Sequence, residues 1–333
     1  MGSCWEKCFL TTNFTVLLLN AGRRVELVRC FRSAFEQLGV RGRIIATDIN
    51  GLAPALYQAD GRYLLPHSSH PEFVDRLLEV CHGEEVGLVV PLIDPDLLVL
   101  AANRETIESS GVQLLISDKR VIEICDDKQK THDFLLDNGI LTASTMSLEE
   151  ARGRHLPLFI KPRKGSGSES AYRVDTLDEL EFFAKYVPDA LIQDFIEGYE
   201  VTTDVFCDWA SKPVAAIARR RLKVRAGEVS VGRIVRIQGL EDLCKRVAED
   251  IGAIGPVNIQ AICSDGAFHV IEINPRFGGG CPLSIAAGAP LTEWVIQMGL
   301  GQPLAGQRSR VSDGLTMLRF EDSMFCPAEE FLS

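Results

Sequence analysis

The feature that most constrains the fold is the regular alternation of short apolar segments with helical patterns near the start of the chain. The predicted elements are, in chain order, strand Thr15–Leu19, helix Val25–Leu38, strand Ile44–Asp48, strand Val86–Pro91, helix Leu97–Ser109 and strand Gln113–Ile116. Short apolar runs separated by helical periodicity are typical of buried parallel strands. Their order predicts a parallel α/β sheet whose binding sites lie at the carboxyl ends of its strands.

The turn after the first strand contains only one glycine, Gly22, so the Gly-x-Gly-x-x-Gly fingerprint of dinucleotide binding is absent. We therefore interpret this segment as a structural α/β domain whose loops help to hold a substrate. Nicotinamide binding is the less favoured alternative. His67 and His70 resemble a metal-binding pair, but their Pro/Ser-rich loop offers no further ligands.

Composition restricts the classes of partner. The 333 residues include 35 basic and 46 acidic side chains, which give a formal net charge of −11. This balance argues against general binding to nucleic acid or to an anionic membrane. The apolar run Phe14–Leu19 is too short to span a bilayer. The 10 cysteines include no Cys-x-x-Cys pair, which disfavours zinc and favours a cytoplasmic protein with reduced thiols.

From about residue 119 the pattern changes to longer helices, glycine-rich loops and strands that carry polar residues. The predicted elements are helix Lys119–Asn138, strand Leu158–Lys161, helix Leu177–Lys185, strand Ala190–Phe195, strand Glu200–Asp208, a basic segment at 219–225, a helix at 240–251, a hairpin at 257–273 and a helix at about 290–299. These elements predict a second domain that contains most of the chemically informative residues.

One candidate phosphate site is the strand that ends in Lys161 and continues into the small-residue loop 165–168. Backbone N–H groups of such a loop can approach phosphate oxygens closely, and the lysine adds a positive charge. A plain surface turn is the alternative interpretation. The Walker arrangement of a P-loop is absent.

A candidate nucleotide-binding connector is the segment Gln193–Glu200. An adenine ring needs one backbone donor, one backbone acceptor and apolar walls, and a ribose needs a carboxylate such as that of Glu200. An ordinary strand followed by a turn at Gly198 is the alternative.

Polar residues are spaced two apart on both strands of the C-terminal hairpin. Asn258 and Gln260 share one face of their strand, and Glu272 and Asn274 share one face of theirs. Carboxylate and amide oxygens suit magnesium, which keeps several waters and bridges phosphates. Arg276 follows in a glycine-rich loop, where its guanidinium can bind a phosphoryl group bidentately.

The turn of this hairpin determines whether these side chains converge. A two-residue Asp265-Gly266 turn would pair Gln260 with Ile271, and Glu272 would then point to the opposite face. A shared metal site requires an odd-length loop or a bulge. We expect an odd-length loop with Gly266 in a left-handed conformation.

The basic segment has two interpretations. Arg219, Arg221, Lys223 and Arg225 fall on one face of an extended strand. They form either a solvated edge strand or a cationic wall for the triphosphate or the substrate carboxylate.

These segments, together with Lys128 in Asp126-Asp127-Lys128, resemble the ATP-grasp superfamily over residues 14–305. The likeness is to the large subunit of carbamoyl phosphate synthase and to small carboxylate–amine ligases similar to it. The run from Glu272 to Arg276 is the most specific motif. The resemblance implies phosphate binding by Lys128 and Lys161 and a lid loop at Gly167 and Ser168. It implies an adenine pocket at Gln193, Asp194 and Ile196, ribose binding by Glu200, and magnesium ligation by Gln260, Glu272 and Asn274. It also implies catalytic roles for Lys161 and for Arg276, which binds the γ-phosphate.

The resemblance also implies a fold and a reaction. The fold is α/β, with a loose extension (1–13), an N-terminal Rossmann-like parallel-sheet domain called pre-ATP-grasp (14–118), a lid subdomain (119–190), and a large ATP-grasp subdomain with a tail (191–333). The implied reaction uses ATP and one or two Mg²⁺ ions, or Mn²⁺, to activate a small carboxylate as an acyl phosphate for an amine-type nucleophile.

The same resemblance leaves several points open. A homodimer is compatible with it, as are a kinase-like enzyme that stops at an acyl or carboxy phosphate and a non-catalytic regulatory module. Carbamoyl phosphate synthase carries two such halves in one chain, whereas this sequence has one. Gln260 also stands where many ATP-grasp ligases have a carboxylate.

Overall fold

The computed structural model describes residues 13–165, 170–225, 227–304, 311–327 and 331. The chain divides into two compact units. Unit 1 comprises Met1–Leu115, Pro290–Gln307 and Ser323–Ser333, and unit 2 comprises Ile116–Ala289 and Arg308–Asp322. Over the described ranges, every helix is too short or too polar to cross a membrane.

Unit 1 is built on a parallel sheet with strand order β3-β2-β1-β4-β5. Its elements up to residue 115 are β1 (Asn13–Leu19), α1 (Val25–Leu38), β2 (Arg41–Asp48), a 3₁₀ turn (Pro54–Gln58), β3 (Gly61–Leu64), α2 (Phe73–Gly83), β4 (Val86–Pro91), α3 (Asp94–Ala102), α4 (Arg104–Ser109) and β5 (Gln113–Leu114). Residues 16–19 of the central strand are fully buried, as expected for a parallel strand covered on both faces. The predicted parallel sheet is therefore confirmed.

The predicted single helix Leu97–Ser109 is wrong, because the helix is interrupted at Asn103. The backbone leaves helical geometry there (φ −111°, ψ 15°), and the side-chain Nδ2 donates to the carbonyl oxygen of Val99 at 2.9 Å. Asparagine competes in this way with the main-chain hydrogen bonds of a helix.

Unit 2 contains two antiparallel sheets. The small sheet has the order β6-β9-β7-β8 and the large sheet the order β14-β13-β10-β11-β12-β15. The elements of unit 2 are α5 (Lys119–Asp126), α6 (Lys128–Asp137), β6 (Thr145–Met146), α7 (Leu148–Arg152), β7 (Leu158–Pro162), β8 (Tyr172–Val174), α8 (Leu177–Tyr186), β9 (Ala190–Asp194), β10 (Tyr199–Cys207), β11 (Pro213–Arg225), β12 (Glu228–Ile234), α9 (Gln238–Ile251), β13 (Gly255–Ser264), β14 (Ala267–Asn274), α10 (Cys281–Ala286) and β15 (Thr316–Leu318).

The predicted helix Lys119–Asn138 is also two helices. Asp127 separates α5 from α6 with an extended backbone (φ −118°, ψ 108°), and its side chain accepts hydrogen bonds from the backbone N–H groups of Gln129 and Lys130. An aspartate in this position is a helix N-cap. The break makes Lys128 the first residue of α6.

The two faces of the large sheet differ in character. One face is apolar and packs against α9, with Val201, Ile259, Leu240 and Val247 in a shared core. The strand registers place a second set of side chains on the opposite face. This polar face comprises Glu200, Thr202, Asp204, Arg219, Arg221, Asn258, Gln260, Glu272 and Asn274.

The helix predicted at about 290–299 is α11 (Leu291–Gly299). It packs within unit 1, where the hydroxyl of Thr292 donates to the carbonyl oxygen of Cys30 at 3.4 Å. A Cβ atom at Gly299 would lie only 2.4 Å from the ring of Phe14. This helix thus belongs to unit 1.

Candidate functional site

Lys128 is held next to the segment that leads into the Gly/Ser loop. Its Nζ donates to the carbonyl oxygen of Gly165 at 2.6 Å, and its backbone N–H donates to the carbonyl oxygen of Arg163 at 3.0 Å. Arg163 in turn donates to both carboxylate oxygens of Asp127, at 2.7 and 2.8 Å. The predicted lid residues Gly167 and Ser168 lie outside the described residues.

Lys161 connects the two sheets of unit 2 electrostatically. It lies in β7 of the small sheet, where burial lowers the pKa of its ammonium group from 10.5 to about 8. The negative charge of Glu272 in the large sheet opposes this shift in pKa, and the positive charge of Lys128 reinforces it. A predicted phosphate-binding lysine and a predicted metal ligand are thus brought within electrostatic reach of each other.

The hairpin that carries the predicted metal ligands has a two-residue loop, so the predicted odd-length loop is wrong. The loop is Asp265-Gly266, and both residues have positive φ angles of 47° and 80°. Two successive positive φ values at Asp-Gly are typical of a type I′ turn. The left-handed conformation expected for Gly266 is present.

A β-bulge restores the register that the short loop would otherwise lose. Ala261 pairs with Val270, whereas Gln260 pairs with Glu272, so Ile271 is the extra residue. Gln260 and Glu272 consequently lie on the same face of the large sheet.

The donors on this face fit a magnesium ion. Gln260 and Asn274 carry amide oxygens, and Glu272 carries a carboxylate between them in the ladder. Among the described residues, no three His, Cys, Asp or Glu side chains converge as a metal site. Magnesium is commonly held by one or two carboxylates together with substrate phosphates and waters, rather than by a complete protein cage. His67 instead contacts Ser69, with Nδ1 and Oγ 2.9 Å apart.

Arg276 lies immediately beside the predicted metal ligands. Its Nη2 donates to Oδ1 of Asn274 at 3.4 Å, and its Nη1 donates to the carbonyl oxygen of Phe277 at 3.1 Å. A cation is therefore held within one hydrogen bond of an amide oxygen on the polar face.

The predicted adenine residues are at the end of β9 and in the connector after it. Gln193 is buried. It pairs with Phe159 of β7, and Lys161 lies two residues further along β7, so Gln193 and Lys161 share a face of the small sheet. Asp194 and Ile196 are half-buried. A Cβ at Gly198 would lie 2.3 Å from the carbonyl oxygen of Cys263, so the turn there also needs glycine to pass β13.

The predicted ribose ligand Glu200 forms an ion pair with Arg221. Nη1 of the arginine donates to Oε1 of the glutamate at 2.5 Å, and Nη2 donates to the carbonyl oxygen of Gly227 at 2.9 Å. The arginine side chain is 10% exposed and the glutamate side chain 32% exposed. The glutamate therefore remains accessible while its partner is largely enclosed.

The solvated-edge interpretation of the basic segment is wrong, because β11 lies between β10 and β12. Successive side chains of β11 alternate regularly between the two faces of the sheet only as far as Arg221, because the pairing with β12 shifts register on both sides of Lys223. Arg219 and Arg221 thus project onto the polar face, each paired with a carboxylate of β10.

Asp204 is a buried residue of the polar face that the sequence motifs did not indicate. Its carboxylate accepts hydrogen bonds from Arg219 at 2.8 and 3.1 Å, from Asn258 at 2.9 Å and from Ser284 at 2.6 Å. The two-residue spacing of Glu200, Thr202 and Asp204 is the signal that identifies it. The same spacing indicated the metal ligands of the hairpin.

Two family models match successive parts of the chain. Residues 16–115 match the family model described as the PylC-like N-terminal domain, and residues 125–280 match the model of the ATP-grasp domain. Residues 125–280 therefore contain an ATP-grasp domain, as the resemblance in sequence predicted.

Individual relatives agree with this assignment. The carbamoyl phosphate synthase large chain of Thermoanaerobacter sp. (strain X514) is 26% identical over 222 residues, which cover 60% of this chain and 21% of the relative. The chain thus spans about a fifth of the length of such curated relatives.

Solved structures share the fold. The biotin carboxylase domain of 2-oxoglutarate carboxylase from Hydrogenobacter thermophilus, solved with MgADP and bicarbonate, superposes with a TM-score of 0.70 at 17% identity, covering 91% of this chain and 73% of the other. L-amino acid ligase from Bacillus licheniformis superposes with a TM-score of 0.69 at 20% identity, covering 92% and 79% respectively.

Proposed function

We propose that this protein is an ATP- and magnesium-dependent ligase that activates a small carboxylate for attack by an amine-type nucleophile. The observation that carries the proposal is the shared face of Gln260, Glu272 and Asn274 in the large sheet, from which the charge of Glu272 acts on the Lys161 ammonium group. A cation beside hard oxygen ligands is the arrangement that a magnesium–triphosphate complex requires. The match of residues 125–280 to the ATP-grasp domain and the carboxylate chemistry named for the structural neighbours support the same function.

The proposed reaction has two steps. A carboxylate oxygen of the substrate attacks the γ-phosphorus of ATP, the bond to the β-phosphate oxygen breaks, and ADP leaves. The amine nitrogen then attacks the carbonyl carbon of the acyl phosphate, inorganic phosphate leaves, and the amine proton passes to solvent. The product is an amide-type bond.

The residues have separate proposed roles in these steps. Lys128 and Lys161 bind the α- and β-phosphates, and Arg276 stabilises the negative charge of the transferring phosphoryl group. Glu272 with its two amide neighbours would hold magnesium, which supplies charge neutralisation at the phosphates when bound. The connector with Gln193, Asp194 and Ile196 encloses adenine, and the carboxylate of Glu200 accepts hydrogen bonds from the ribose hydroxyls.

A screen of amino acids and small acids, each with and without candidate amines, tests the proposal by release of ADP and inorganic phosphate. We expect turnover that requires both an acid and an amine. Release of ADP with an acid alone identifies an enzyme that stops at the acyl phosphate. If calorimetry detects no binding of a non-hydrolysable ATP analogue with magnesium, the proposal is wrong.

A further inference from the structure

Asp204 and Arg219 form a buried ion pair on the polar face. Their side chains are 5% and 4% exposed, and the carboxylate also accepts from Asn258 and Ser284. Burial of both charges is costly unless the geometry and the additional hydrogen bonds compensate for lost hydration. Here the carboxylate receives four hydrogen bonds from three side chains, so the network has a single well-defined arrangement.

The network borders the proposed metal ligands. Asn258 lies directly opposite Asn274 in the ladder between β13 and β14, and two residues from Gln260 on the same face. Directly opposed residues in an antiparallel pair are close enough for their side chains to touch. The position of the Asn258 amide, which Asp204 sets, therefore limits the space that Asn274 can occupy.

The same network supports the loop that follows Arg276. A Cβ at Gly278 would lie 2.2 Å from Nδ2 of Asn258, and a Cβ at Gly280 would lie 2.4 Å from Nη1 of Arg219. A Cβ at Gly279 would meet Glu228 at 3.6 Å, an ordinary contact. None of the three glycines has a positive φ, so the need for glycine at 278 and 280 is steric.

We propose that Asp204 is a positioning residue for the metal–phosphate site. It holds Asn258 and Arg219 in place, and these two side chains form the surface against which Gly278 and Gly280 pack. This packing surface fixes the positions of Asn274 and Arg276, which directly precede the loop. This inference rests on the proposed function, because it assigns to the network a role in binding a metal–nucleotide complex. Groups that orient metal ligands in this way typically contribute about 10- to 100-fold to metal affinity or activity.

The test compares Gly280→Ala with Gly279→Ala, and both with Asp204→Asn. Asp204→Asn leaves Arg219 without a counter-charge and therefore endangers folding. The glycine pair avoids this difficulty, because both variants keep the ion pair, and only the methyl group added at 280 strikes Arg219, together with Val229 at 2.8 Å. Binding of Mn²⁺ to protein saturated with a non-hydrolysable ATP analogue is measured by electron paramagnetic resonance. Calorimetry measures affinity for the analogue, and thermal unfolding confirms that each variant is folded.

We expect Gly280→Ala and Asp204→Asn to weaken Mn²⁺ binding by about tenfold or more, with affinity for the analogue changed by no more than about twofold. Gly279→Ala should match the natural protein. A network that only stabilises the fold would lower the melting temperature of the variants and leave Mn²⁺ affinity intact, and this outcome overturns the inference. If the natural protein itself binds no Mn²⁺ with the analogue, the proposed function fails instead.

Discussion

Gln260 in β13 lies directly opposite Glu272 in β14, and the bulged residue Ile271 creates this pairing. Without the bulge, the two-residue turn at Asp265-Gly266 would place the amide and the carboxylate on opposite faces of the large sheet. Bulges frequently redirect side chains beside functional sites. The bulge therefore supports the proposed metal site at the level of backbone geometry.

The charges of the polar face are distributed in pairs. Glu200 pairs with Arg221 and Asp204 pairs with Arg219, both through neighbouring strands. The charge of Glu272 instead raises the pKa of Lys161, which belongs to the small sheet. Arg219 and Arg221 of β11 thus neutralise carboxylates within the large sheet, whereas the cations proposed to bind phosphate are Lys128, Lys161 and Arg276.

Replacing Lys161 with alanine should weaken binding of a non-hydrolysable ATP analogue while the fold survives. A hydrogen bond from a charged group contributes about 1.5–3 kcal/mol, which corresponds to a loss of about 10- to 100-fold in affinity. Lys164→Ala is the matched control, because Lys164 is 63% exposed and pairs with Asp126 at 3.1 Å. Calorimetric titration measures both variants. Equal affinities in the two folded proteins would remove Lys161 from the site.

Arg276→Lys should lower turnover by about 10- to 100-fold, with a much smaller rise in the Michaelis constant for ATP. Lysine keeps the charge but loses the planar donors that bind a phosphoryl group bidentately. An interaction made mainly in the transition state appears in kcat rather than in substrate binding. Steady-state kinetics with the acid found in the screen provides the measurement. Normal kcat with weakened ATP binding contradicts this role.

Arg221→Gln should reduce the preference for ATP over 2′-deoxy-ATP. The guanidinium holds one oxygen of Glu200 at 2.5 Å, and this ion pair restrains the carboxylate that is proposed to bind the ribose. Loss of the ion pair should weaken ATP binding by about 3- to 10-fold, the effect of one neutral hydrogen bond, and change 2′-deoxy-ATP binding less. Arg225→Gln is the control, because the ion pair of Arg225 with Glu321 is highly exposed on both sides. A parallel loss for both nucleotides would mean that Arg221 acts on the fold alone.

Much of the fold follows from sequence patterns, because continuous apolar runs identify β1, β2 and β4 as buried strands. The missed helix α2 has buried residues Phe73 and Leu77 at helical spacing, so its periodicity was a usable signal. The breaks at Asn103 and Asp127 are harder to predict. Each depends on one short side chain that competes with the helix for main-chain hydrogen bonds.

The candidate site was accessible from sequence where its residues share a strand, as Glu272 and Asn274 do. The approach of Lys161 to Glu272 depends on how two sheets meet, and spacing along the chain contains no information about that. The ion pairs of Arg219 and Arg221 depend on which strand lies beside β11. The basic segment therefore left two interpretations open until the strand order was known.

Asp96 in unit 1 should make stability depend on pH. The residue is 1% exposed, and Nδ2 of Asn20 donates to its Oδ2 at 2.7 Å. Burial raises the pKa of the Asp96 carboxyl from 3.8 to about 6, and the charge of Asp48 raises it further, against the effects of hydrogen bonds from Asn20 and Ser68 and of the charge on His67.

The sign of the pH effect follows from the raised pKa of Asp96. Between about pH 4 and pH 6 the folded state binds more protons than the unfolded state, so the free energy of unfolding falls as pH rises through this window. Asp96→Asn removes the titration and keeps an acceptor for Asn20. The variant should therefore gain about 1–3 kcal/mol relative to the natural protein between pH 4.5 and pH 7.5.

Urea unfolding at the two pH values measures this gain through the fluorescence of Trp294, which is buried in unit 1, in a background with Trp5 and Trp209 replaced by phenylalanine. Asp94→Asn, in the same helical turn, accounts for the general effect of removing one negative charge. If the stability difference between Asp96→Asn and the natural protein is the same at both pH values, Asp96 is not protonated in the folded state at low pH, and the hydrogen bond from Asn20 must then outweigh burial.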